Sequence, residues 1–225
     1  RSKAYASAHE RGDHQVQVWG ALGQAVCLIR LGQMDQALAM LELIRPLLGE
    51  SEDTVWAYGA LALAHWRNGD QNLAREAAEA GARRFNKFRP TAAQVLDGYV
   101  DLAEVYLALW EHADARDTTI RGSVKQALKA LQGFAKTFPI GQPSLLRLQG
   151  LYARLSGNPA QAHRLWQTSL AKAERLSMPY EQALTHYEIG RWTSGGEQQT
   201  ELNRAQELFL QLGAPYDAAR VEVLL

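Results

Sequence analysis

An alanine set among apolar residues recurs a few positions after a turn, at Ala37, Ala74, Ala127, Ala162 and Ala205. The intervals between these marks, 37, 53, 35 and 43 residues, scatter around the period of a two-helix repeat. A small residue at such a place lets the two helices of a pair cross closely. Stacking then buries the face that a single pair leaves open. Strands are not expected, because apolar residues recur at spacings of three and four, as in Leu102, Val105, Tyr106 and Leu109, and strict alternation is nowhere sustained. The pattern predicts an all-α solenoid of antiparallel helix pairs.

Helices are expected near 2–10, 14–31, 34–46, 53–68, 71–87, 92–114, 121–137, 143–156, 159–176, 180–193, 198–212 and 215–224. Pro46, Pro90, Pro139, Pro143, Pro159, Pro179 and Pro215 fall at proposed ends or first turns, where the missing N–H is harmless. Leu31-Gly32-Gln33, Asn68-Gly69-Asp70 and Ser156-Gly157-Asn158 each place a glycine where a helix must stop. Asp35, Asp70 and Asn158 offer side-chain oxygens to the start of the next helix. Two connections read as surface insertions, Asp114 to Ser123 (about 114–123) and the polar Thr193 to Gln199. With Arg1 in place of a methionine, ahead of a stretch that already reads as helix, the chain is expected to be a fragment of a longer protein. Its 225 residues read as one domain over 1–225.

Lys plus Arg and Asp plus Glu number 24 each, so no long-range field favours nucleic acid or an anionic membrane. Neither a membrane-spanning apolar run nor a signal peptide is present, and the lone Cys27, between Val26 and Leu28, reads as a buried structural thiol. Together these point to a cytoplasmic setting.

Motifs that carry chemistry are missing from the sequence. There is no phosphate loop, no His-Glu-x-x-His, no cysteine pair at metal spacing and no serine elbow. Ser194-Gly195-Gly196-Glu197 reads as a flexible turn. Glu111-His112 with Asp114 does not share a helix face as a metal site would. No catalytic residue, cofactor or metal is therefore assigned. Arg83, Arg84, Lys87 and Arg89 cluster at a helix end, where cations complement the helix dipole, while Glu50, Glu52 and Asp53 read as first-turn charges.

Aligning the first helix of each pair produces one stripe: Trp19, Leu22, Ile29 and Arg30; Trp56, Leu63, Trp66 and Arg67; Asp97 and Glu104; Arg147, Leu151 and Arg154; Tyr187 and Arg191. Tryptophan and arginine dominate interface energetics. The stripe is expected to line a concave groove for a protein or peptide partner, with packing against the adjacent pair as the competing role for Trp19 and Trp56. A cavity enclosed by Trp56, Trp66 and Arg147 would instead suit a small molecule, and open apolar ends would suit a structural scaffold or homodimer.

The turn-and-alanine units resemble the irregular, longer-period form of the tetratricopeptide repeat, best over 18–46, 55–88 and 143–176. The resemblance implies a right-handed superhelix. More narrowly, Phe138-Pro139-Ile140-Gly141-Gln142-Pro143, Ala171 to Glu181, His186-Tyr187-Glu188-Ile189-Gly190-Arg191 and Leu208 to Val221 resemble the C-terminal repeats of large bacterial signalling proteins. Arg11-Gly12-Asp13 with Trp19 to Leu31 is similar to their opening. Those proteins join a class III adenylate/guanylate cyclase domain, or a protein kinase domain, to a signal-transduction (STAND-type AAA) ATPase module. Many relatives carry glycine where this chain has Ser177. The resemblance implies a non-catalytic regulatory segment that holds off the preceding ATPase module of the same chain or recognises a ligand that switches it on; on the charge balance, nucleic acid and membrane are not among the expected partners.

Overall fold

A computed structural model describes residues 13–85, 87–113 and 118–225, Thr118 by its backbone alone. The described residues are all-helical, with no strand among them, and their eleven α-helices pack in consecutive pairs. In chain order these are α1 (His14–Arg30), α2 (Met34–Ile44), α3 (Asp53–Arg67), α4 (Gln71–Ala82), α5 (Leu96–His112), α6 (Thr118–Thr137), α7 (Gln142–Leu155), α8 (Pro159–Arg175), α9 (Pro179–Trp192), α10 (Gly195–Gln211) and α11 (Pro215–Glu222). Among them no helix is long and apolar enough to cross a membrane. The helix expected over 2–10 lies outside the described residues.

One closure ends five of these helices. The backbone N–H groups of Gln33, Asp70, Asn158, Met178 and Ala214 each reach back five residues, to the carbonyls of Leu28, His65, Ala153, Ala173 and Phe209, at 2.9–3.0 Å. This bond satisfies a carbonyl that the helix end orphans, and it requires the residue just before the donor to be left-handed. Gly32, Gly69, Gly157 and Gly213 fill that position with φ of 65° to 86°. Ser177 fills it in the fifth turn with φ 52°, the one place among the described residues where a Cβ is carried into the left-handed region. The next helix starts immediately, opened by Pro159, Pro179 or Pro215 in three cases. Asp70 accepts from the Leu73 N–H and Asn158 from the Gln161 N–H, as expected of caps. Asp35 does not cap; it lies inside the first turn of α2, and Gln33 stands at the cap position.

All five marker alanines are fully buried. The crossing of α3 with α5 is closer still. Gly59 and Gly98 meet so tightly that a Cβ on either would strike the backbone of the other helix. Gly150 on α7 supports the indole of Trp166 from α8, whose Nε1 donates to the Arg147 carbonyl at 3.1 Å.

The described chain contains two compact units. One comprises the residues through Ile29 and Gln33–Thr137; the other comprises Arg30–Gly32 and Phe138–Leu225. In the first, α3 packs on both α4 and α5, and α5 on α6. Tyr99 sits there between Phe85 and Phe134, with ring centroids 5.8 and 5.3 Å away. In the second, α7 pairs with α8 and α9 with α10, and Phe209, Leu202 and Val221 close the core beneath α11.

Three local expectations need correction. The insertion read over 114–123 is helical from Thr118 onward, because Ile120 and Val124 already face the core; 114–117 lie outside the described residues. The Thr193 to Gln199 connection shrinks to Thr193 and Ser194, since the glycine pair opens α10 rather than forming a turn. Cys27 is exposed rather than buried. Its apolar chain neighbours lie about 100° away around the helix, so they report on other faces.

Two substitutions test this account. Ser177→Gly removes the strain of a left-handed side chain and is expected to stabilise the protein by about 0.5–1 kcal/mol, a gain read as a higher melting temperature. A lower one would contradict the role given to this turn. Ala74→Leu forces extra volume into a closed crossing and is expected to cost about 1–3 kcal/mol in denaturant unfolding, whereas an unchanged midpoint would refute the helix-pair register.

Candidate arginine and aromatic faces

The stripe read from the sequence divides by burial. Leu22, Ile29, Trp56, Leu63, Arg147, Leu151 and Tyr187 are buried, so they serve packing within their units rather than an open surface. Trp19, Arg30, Trp66, Arg67, Asp97, Glu104, Arg154 and Arg191 keep some exposure.

In the first unit the two uncertain tryptophans take opposite parts. Trp19 is 37% exposed, and its indole N–H donates to Asp53 Oδ1 at 3.0 Å, tying α1 to the start of α3. Burial pushes the Asp53 carboxyl above its ordinary range, against the opposing effect of the Trp19 and Ser51 hydrogen bonds. Trp56 is in the core with its indole nitrogen unpaired. At the far end of α3, Trp66 presents its ring edge-on to His112 with centroids 5.2 Å apart, and Arg67 reaches the Ile29 carbonyl at 3.4 Å. Glu104, half-buried on α5, completes the expected set in this unit.

The basic cluster is also resolved. Helix α4 stops at Ala82, earlier than read, and Arg84 folds back so that its guanidinium donates to the Ala80 carbonyl and lies 4.4 Å from the Tyr58 ring centroid. This is a C-terminal cap supplied from beyond the helix. Glu52, read as a first-turn charge, accepts from both the backbone N–H and the hydroxyl of Thr91.

In the second unit Arg147 is the clearest departure. Read as a groove residue, it is 2% exposed, and its Nε donates to Glu181 at 2.5 Å. Ser144 donates to the other oxygen of Glu181, and Ser169 with Thr185 extends the polar core beside them. A guanidinium so enclosed costs several kcal/mol in desolvation unless its charge is met in place. It therefore joins α7 to α9 and cannot line a cavity for a ligand.

Near the ends of the same two helices a partly exposed face assembles. The Arg154 guanidinium lies 4.6 Å from the ring centroid of Trp192, and Arg191 lies 5.0 Å from the same ring and 5.7 Å from Tyr187. Arg220 of α11 covers Tyr187 at 4.7 Å. Arg191 donates to Glu188 at 3.0 Å and Arg220 to Asp217 at 3.1 Å, while Tyr180 donates to the other Asp217 oxygen at 2.7 Å. Trp192, Glu188, Asp217 and Arg220 were not singled out from the sequence. The i, i+3 spacing of Glu188 with Arg191 and of Asp217 with Arg220 is the signal that would have found the two pairs.

On the other side of α9, between α8 and α10, lies an open cleft of about 640 Å³. It is lined by charges of both signs, with His186 Nδ1 2.5 Å from Glu201 Oε2. Among the described residues no three His, Cys, Asp or Glu side chains converge as a metal site would require. No protein-family model, curated protein or solved structure matches the chain.

The buried pair makes a sharp prediction. Glu181→Ala strands the Arg147 charge and is expected to cost about 3–5 kcal/mol in urea unfolding, whereas Arg147→Met combined with Glu181→Leu should cost much less. A double variant as unstable as the sum of the single changes would contradict an ion pair that is needed only because its own charges are buried.

Proposed function

We propose that this chain is a non-catalytic protein-interaction and sensor segment: a right-handed, tetratricopeptide-like solenoid that regulates a signal-transduction ATPase or a nucleotide cyclase. The observation that carries this reading is the face on α7, α9 and α11, where Arg154, Arg191 and Arg220 stack over Trp192 and Tyr187. Arginine and large aromatics side by side give a surface that gains much free energy per residue when a partner excludes water from it. The reading is further supported by the shared helix-closing turn, which ends α7, α8 and α10 alike and so repeats one chain reversal through the unit. The sequence resemblance supplies the class of partner, the ATPase module of the same chain in a cytoplasmic signalling protein. Regulation would then be a shift between two packed states, with the solenoid binding one nucleotide state of the ATPase better than the other.

Calorimetric titration of the 225-residue chain with the ATPase module that precedes it, in the presence and absence of ATP, tests the proposal. Binding that differs at least about tenfold between the two nucleotide states is the expected result, equivalent to about 1.4 kcal/mol of coupling. Equal affinity in both states would remove the regulatory reading, and no binding in either would remove this partner.

A further inference from the structure

The arginine and aromatic face contains an imbalance that its own contacts leave uncorrected. Arg191 has Glu188 and Arg220 has Asp217, but among the described residues no carboxylate meets Arg154, which lies against the Trp192 ring. Two hydrogen-bond donors at this point, Arg154 Nε and Trp192 Nε1, are shut off from solvent and have no acceptor. An orphaned buried donor is costly, more so where it is charged, so a native structure that keeps two of them at one stacked contact calls for an explanation. Elsewhere in the same unit the chain satisfies its buried donors with care. Trp166 Nε1 finds the Arg147 carbonyl, and Arg147 Nε finds Glu181.

We infer that Arg154 and Trp192 form the receiving point for a carboxylate on an acidic peptide segment of the partner, an inference that rests on the protein-binding reading above and names its chemistry. The half-buried Arg154 is held over the ring by cation–π attraction alone, which is weaker than a charge-assisted hydrogen bond, so it can lift away when an acceptor is offered. A carboxylate supplies two oxygens in one plane, enough to take the guanidinium and the indole N–H together. The Arg154 charge, unlike those of Arg191 and Arg220, has no carboxylate against it, and a single Asp or Glu side chain would neutralise it. The flanking Tyr187 and Trp192 rings provide apolar surface for the carbon stem and backbone of an extended peptide, which a free inorganic anion lacks.

The test follows the Trp192 indole N–H by NMR in the full 225-residue chain, its resonance assigned by its loss in Trp192→Phe. Three probes are added separately: a capped Ala-Glu-Ala tripeptide, its Ala-Gln-Ala counterpart and sodium phosphate. The expected result is a saturable downfield shift with the glutamate peptide alone, weakened at least about tenfold in Arg154→Met, as loss of a charge-assisted hydrogen bond predicts. An equal shift with the glutamine peptide, a response to phosphate in place of the peptide, or no shift at all would overturn the inference. Calorimetry of Arg154→Met with the ATPase module separates this from the broader reading. Unchanged affinity there would discard the carboxylate site and leave the interaction segment standing, whereas failure of the wild-type chain to bind would count against the partner and not against the site.

Discussion

Every helix pair here depends on a close crossing, and a close crossing depends on what is left out of it. Side chains at Ala37, Ala74, Ala127, Ala162 and Ala205 are no larger than a methyl group, and all are sealed from solvent. At Gly59 and Gly98 even a methyl group is excluded. Helices brought this near bury apolar surface on both partners at roughly 25 cal/mol per Å², and larger residues on either side of each contact, such as Trp166 over Gly150, fill what the small ones leave open. The turn between helices is the second half of the same device. At five junctions a single left-handed residue reverses the chain in two or three positions, so the next helix has to lie against the one just ended.

Charges are arranged to serve this packing in some places and to stand apart from it in others. Arg147 and Glu181 are both buried and paired, so they hold α7 and α9 together. They bring register more than stability, because an apolar pair of similar volume would avoid the desolvation altogether. Arg154, two turns nearer the helix end and partly exposed, has no such partner. Two arginines seven residues apart on one helix therefore do different work, and the difference lies in whether a carboxylate of the neighbouring helix meets them.

That contrast also marks the boundary of what the sequence made legible. Helix positions followed almost directly from the apolar spacing and the placement of prolines and glycines, because those signals act within a few residues. Burial of residues in the stripe did not, since Trp19 and Trp56 occupy comparable positions on successive first helices and yet one is exposed and the other is core. Arg147 looked like surface because nothing nearby in sequence announced Glu181, thirty-four residues later. Cys27 misled in the opposite sense, as Val26 beside it is buried and Leu28 partly so while it faces out. Ser177 was visible as a departure from glycine, but only the backbone torsion reveals that the departure is carried as strain.

The central claim is that the first helices of the second unit, α7, α9 and α11, present the binding face. Hydrogen–deuterium exchange on the chain, alone and saturated with the ATPase module, addresses it most directly. The account predicts slowed exchange on partner binding in the C-terminal turns of α7 and α9, near Arg154 and Trp192, and along α11, with α8 and α10 unchanged. Protection confined to α8 and α10, around the cleft that holds His186 and Glu201, would place the interface on the opposite side and contradict it.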